Sequence, residues 1–180
     1  MSAKKRWRPL WVILHWLMAG LVCIVFGIGI VSLGQTANPD KKLVPLSVHM
    51  LFGNTILLLV IARYILRVTV FKPTTAPPAG RKMPLLDRLS YYVHPLLYLF
   101  TALMSVLGMA ISIPAHLFEI VILRSGAALP ADFFVYPARA WHGTISVVLM
   151  LLVAQHVLVA VEHQFIRGEN FLGRMWFSKH

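Results

Sequence analysis

Apolar residues in this chain fall into four long runs separated by polar stretches rich in glycine and proline. The runs cover about Leu10–Leu33, Val44–Ala62, Leu89–Ile113 and Ala140–Val161. Each is long enough, at about 20 residues, for an α-helix to cross a hydrocarbon layer. The pattern predicts an all-α membrane protein, a four-transmembrane-helix bundle that forms a single domain over 1–180. The first connection, Gly34–Leu43, is short and carries the turn formers Asn38-Pro39-Asp40. The second is basic and proline-rich (Lys72-Pro73, Pro77-Pro78), so it reads as extended chain. The third, about Pro114–Arg139, holds an apolar stretch, His116–Leu123, before Gly126, Pro130 and Pro137. That stretch predicts a short helix lying on the membrane surface. No internal repeat is present.

Composition agrees. Of 180 residues, 58% are hydrophobic and only 13% charged, against roughly 25% charged in a soluble domain. Cys23 is the one cysteine and lies in the first run, which excludes an internal disulfide and a cysteine-based metal cluster. The net charge of +11 raises the question of nucleic acid, and its distribution answers it. Lys and Arg number four before the first run, two in the first connection, six around the second, two in the third and three in the tail. Thirteen therefore fall on one side and four on the other. This is the positive-inside pattern, with both termini cytoplasmic. The charge sets topology, and a nucleic-acid role is excluded. The first run follows a basic stretch, as a secretory signal would, but at about 24 apolar residues it is too long for one, and no small-residue cleavage motif follows. It reads as a retained helix.

Histidines carry the chemistry, because coordinating residues inside membrane helices default to function. His142 and His156 are fourteen residues apart in the last run. On a helix that spacing spans about 21 Å and brings both imidazoles out within roughly 40° of each other. His15 and His156 lie at one depth near the cytoplasmic side, and His49 and His142 at another near the outer side. A haem iron takes two opposed axial ligands at one depth, and neutral imidazole serves. A lone membrane histidine is more often a hydrogen-bonded structural residue, but four at matched depths point to ligands. A histidine site for zinc or copper would gather three or four ligands at one level, which this spacing does not do. His94 shares the inner depth. It stands either as a competing ligand or as a partner for backbone groups freed by Pro95. His163, one turn pair beyond His156, faces a haem propionate or water. His116 and His180 have no placed partner.

Smaller features fit around these. Gly53, one turn after His49, and Gly143, after His142, let a flat macrocycle or a neighbouring helix come close. Arg63 and Arg67 at the inner end of the second helix can pair with haem propionates or with lipid phosphates. At the outer surface Arg139 is the cation placed to attract an anion, and Trp141 the ring placed to stack on a ligand. These two are the candidate catalytic residues, and interfacial anchoring is the other reading of both.

Taken in order, these residues resemble a known group. His15-Trp16, His49 with Gly53, Arg63 and Arg67 before a proline-rich loop, His94 with Tyr98, Arg139-Ala140-Trp141-His142, His156, His163 and the tail Leu172-Gly173-Arg174-Met175 resemble the bacterial cytochrome b561 family, which includes superoxide oxidase. The resemblance spans nearly the whole chain. It implies two haem b groups held by His15, His49, His142 and His156, and electron transfer with ubiquinone as one partner. In the superoxide oxidase branch, superoxide gives up its electron at the outer face and the quinone is reduced. Other similar proteins are haem-bearing anchors for a dehydrogenase or hydrogenase, with a redox protein docked on a loop. The outer connection carries Glu119 and Asp132 beside Arg124 and Arg139, so it is not a strongly cationic funnel for superoxide. A reading of another class is a haem-free transporter subunit or assembly factor with packing or proton-relay histidines.

Overall fold

The computed structural model describes residues 9–34, 39–70 and 85–168. These form four long helices: α1 (Pro9–Gly27, continued by a π-helical turn at Ile28–Leu33), α2 (Pro39–Thr69), α3 (Leu85–Ser112) and α4 (Pro137–Val161, continued by a π-helical turn at Glu162–Ile166). No strand occurs among the described residues. All four helices are long and apolar enough to cross a membrane. The basic N-terminal stretch, the proline-rich connection and the tail motif Leu172–Met175 lie outside the described residues.

Helix α4 begins at Pro137, directly after its N-cap Tyr136. The first turn has no intrahelical use for an N–H, and the fixed φ of proline is already helical, so this proline starts the helix. Pro45 and Pro95 lie inside α2 and α3, and both helices continue through them.

Successive helices pack on one another, α1 on α2, α2 on α3 and α3 on α4. The interior is sparse. Trp11 and Val12, Ile56 and Val60, Val93 and Ile111, and Leu149 and Val159 are buried, while Leu58, Leu99, Leu151 and Leu158 face outward. Outward leucines are what a lipid-facing surface requires, since lipid rather than protein covers them. Hydroxyls within the spans return to their own helix: Thr55 donates to the Leu51 carbonyl, Thr69 to Ile65 and Thr144 to Ala140. That leaves no hydroxyl of these three to be satisfied by lipid.

The apolar stretch of the third connection forms a π-helical turn, Phe118–Ile122. Leu117, Ile120 and Val121 are buried with Ala115 against Leu43, Leu46 and Met50 of α2 and against Leu129, Phe133 and Tyr136, while Phe118, Ile122 and Leu123 stay exposed. Burial of closely spaced apolar side chains docks this side of the turn on the bundle.

Candidate functional site

The four helices meet at two levels. At the level near the start of α1 and the end of α4, called proximal here, His15 of α1 faces His156 of α4 with ring centres 6.0 Å apart and planes at 67°. At the distal level His49 of α2 faces His142 of α4 at 6.2 Å and 60°. Each nitrogen of an imidazole lies about 2 Å from a metal it binds, with the ring centre roughly 1 Å further back, so two rings on opposite sides of one metal have centres about 6 Å apart. Both pairs meet that condition. His94 of α3 also touches His156, edge to face, with centres 5.0 Å apart at 85°, closer than two opposed ligands of one metal stand.

Both distal imidazoles are seated by the neighbouring helix. His49 Nδ1 lies 3.1 Å from the Val25 carbonyl of α1 and donates to it when it carries the proton, which leaves Nε2 with a free lone pair. A Cβ on Gly29, one turn after Val25, would stand 3.5 Å from His49 Cε1. His142 is seated against α3 at the corresponding glycine: a Cβ on Gly108 would stand 3.5 Å from its Cε1. The buried His142 Nδ1 has no hydrogen-bond partner among the described residues.

The proximal level is polar in a different way. Arg63 of α2 is buried, at 9% exposure. Its guanidinium lies over the Trp11 ring at 4.6 Å and beside the Tyr98 ring at 5.8 Å. It donates through Nη1 to His15 Nδ1 at 3.3 Å. No carboxylate reaches it among the described residues, and Arg63 Nε and Tyr98 Oη are both buried without a hydrogen-bond partner there. Each such atom costs about 1–3 kcal/mol, and an uncompensated buried cation costs more. Arg67 stands on the same tyrosine, 5.8 Å from the ring centre. The orphaned donors fit an anion that enters this level.

Other sequence candidates divide. The Gly53 carbonyl accepts from Ser105 of α3 at 3.2 Å, and a Cβ at Gly53 would meet nothing within 4 Å. Arg139 curls back on Gly143, whose added Cβ would stand 3.2 Å from its Nη1, and lies 5.1 Å from the Phe134 ring. Trp141 points outward at 62% exposure, away from the bundle interior that holds His142. His163 lies 3.9 Å from the Glu162 carboxylate, which also binds Arg167 at 2.7 Å. His116 lines a cleft of about 590 Å³ on the outer connection with Glu119, Ser125 and Tyr136.

Sequence reasoning missed Gly29, Gly108 and the Val25 carbonyl, although a signal was present. The fourteen-residue step from His142 to His156 recurs on every helix: His15 to Gly29, His49 to Arg63, and His94 to Gly108. The two levels are therefore built from one station on each helix. The proximal set is His15, Arg63, His94 and His156, and the distal set is Gly29, His49, Gly108 and His142.

Among the described residues no group of three or more histidine, cysteine or acidic side chains could hold a metal ion. Paired imidazoles at two levels, an opening at Gly53 and a buried cation without a counter-ion fit haem, whose ring supplies the other four ligands and whose propionates are anionic. A family model described as prokaryotic cytochrome b561 matches residues 6–178. The chain belongs to the prokaryotic cytochrome b561 family, whose members carry electrons in membranes through haem b.

Proposed function

We propose that the chain is a dihaem b-type cytochrome that moves electrons between the outer membrane surface and the quinone pool. The observation that carries this reading is the pair of opposed imidazole contacts, 6.0 Å and 6.2 Å between ring centres. His49 and His142 hold the outer haem, and His15 and His156 the inner one. The haems supply one-electron redox chemistry, and the protein tunes it through ligation, burial and charge. Gly53 gives the macrocycle room, and Arg63 and Arg67 receive propionates at the inner level. The segregation of Lys and Arg supports an inner-membrane location with both termini cytoplasmic, which puts the His49–His142 level at the outer face.

At that face Arg139 is the cation nearest the outer ligands, and it favours an anionic donor. Superoxide as that donor and ubiquinone as acceptor make the chain a superoxide:quinone oxidoreductase, with Arg139 attracting the anion and Trp141 at the rim. The test is the purified chain supplied with superoxide and a soluble quinone. Quinol formation in step with superoxide loss, reduced several-fold in Arg139→Gln, is expected. A haem-loaded chain that turns over neither would leave it as an electron-transfer subunit for a docked partner.

A further inference from the structure

The outer histidines sit in two seats of the same construction on different helix pairs. His49 of α2 rests on Val25 and Gly29 of α1, and His142 of α4 rests on Gly108 of α3. In the His49 seat the glycine lies one turn beyond the residue whose carbonyl the imidazole meets. In each seat, an added Cβ would face the same ring atoms at the same distances, Cε1 at 3.5 Å and Nδ1 at 3.9 Å. General helix packing does not require that coincidence. On a helix the side chain at i+4 overhangs the carbonyl of residue i, so a side chain larger than alanine would close the approach that the imidazole uses.

We infer that Gly29 and Gly108 are the positioning residues of the outer ligands. Gly29 keeps the Val25 carbonyl of the adjacent helix open to His49 Nδ1, Gly108 leaves the His142 ring the same close approach to α3, and each so turns Nε2 toward the opposite ring. The inference rests on the proposed ligand role of His49 and His142. An imidazole whose Nδ1 proton is directed to a carbonyl is fixed in tautomer and orientation. At the inner level the corresponding stations are His15 and His94, so a seat of this kind belongs to the outer level alone. The inner ligands are flanked by side chains, Arg63 at His15 and His94 at His156. The two haems therefore differ in what orients their ligands, and only the outer one answers to these glycines.

The test uses the full chain purified with its haems, comparing Gly29→Leu and Gly108→Leu with Gly29→Ala and Gly108→Ala. Three quantities are read for each haem: occupancy, midpoint potential, and the largest g value of the ferric low-spin EPR signal. That g value follows the angle between the two axial rings. The outer haem is identified as the one lost in His142→Ala. Each leucine variant is expected to move the g value and potential of the outer haem alone and to weaken its retention about tenfold or more, as changes behind a metal ligand do. The alanine variants are expected to stay near the parent, because a Cβ at 3.5 Å is in ordinary contact. If a leucine variant fails to assemble, Gly29→Val and Gly108→Val carry the same expectation. Unchanged outer signals in the bulky variants, or equal shifts in both haems, would overturn the inference. A parent chain without two haems would overturn the reading beneath it, before any variant is compared.

Discussion

His15 is asked for two things that its single ring proton cannot supply together. While Arg63 Nη1 donates to Nδ1 at 3.3 Å, the proton of the neutral ring lies on Nε2. Coordination through Nε2 needs that proton on Nδ1, where it would confront the guanidinium. Under the proposed ligation, a haem at the His15–His156 level would require Arg63 to turn away from His15, and a propionate would give it somewhere to turn. A buried cation beside a haem also opposes the extra positive charge of the ferric form, which raises the potential. Arg63→Met is expected to keep both haems but lower the inner midpoint potential by about 40 mV, on the order of 1 kcal/mol of lost charge interaction at partial burial. Redox titration of the variant beside its parent checks this, and an unchanged inner potential would separate Arg63 from that haem. The four paired histidines were readable from the sequence, because depth in a membrane helix can be counted. Arg63's lack of a carboxylate partner among the described residues was not, because it depends on which side chains the packed helices bring round it.

Among the elements, the apolar runs announced the helices but not their ends. The second run was read as Val44–Ala62, yet α2 extends over Pro39–Thr69. Lys41, Lys42, Arg63 and Arg67 are good helix formers that continue the helix past the ends of the apolar run. Hydrophobicity marks where lipid lies and not where a helix stops. The short turn Phe118–Ile122 docks its buried side on Leu43, Leu46 and Met50 of α2, a partner that spacing in the sequence does not identify. Val121 at its centre is 1% exposed. Val121→Ala removes two buried methyl groups, a loss of about 2 kcal/mol once the cavity left behind is included. A lower apparent unfolding temperature with haem content unchanged is the expected outcome, since the turn packs on α2 through Leu43, Leu46 and Met50. Loss of haem in that variant would mean that the turn also holds the ligands in place.

For the molecule as a whole, the sequence supplied the four-helix architecture and the depth of each histidine, and the fold added how the levels are assembled. One station per helix at a fourteen-residue step makes two levels, histidine-rich at one and glycine-seated at the other. The charge distribution adds a direction across the membrane, which fusion reporters can read. A green fluorescent protein at the C-terminus is expected to fluoresce, and alkaline phosphatase fused after Ser125 to be active; the reverse pattern would invert the assignment of outer and inner haems. The central claim is the number of haems and the ligands of each, and the most direct measurement is the haem-to-chain ratio of the purified protein, with reduced-minus-oxidised spectra, for the parent, His142→Ala and His15→Ala. The expected result is two b-type haems in the parent and one in each variant, with a different haem retained in the two. A parent with one haem or none, or variants that keep both, would contradict it.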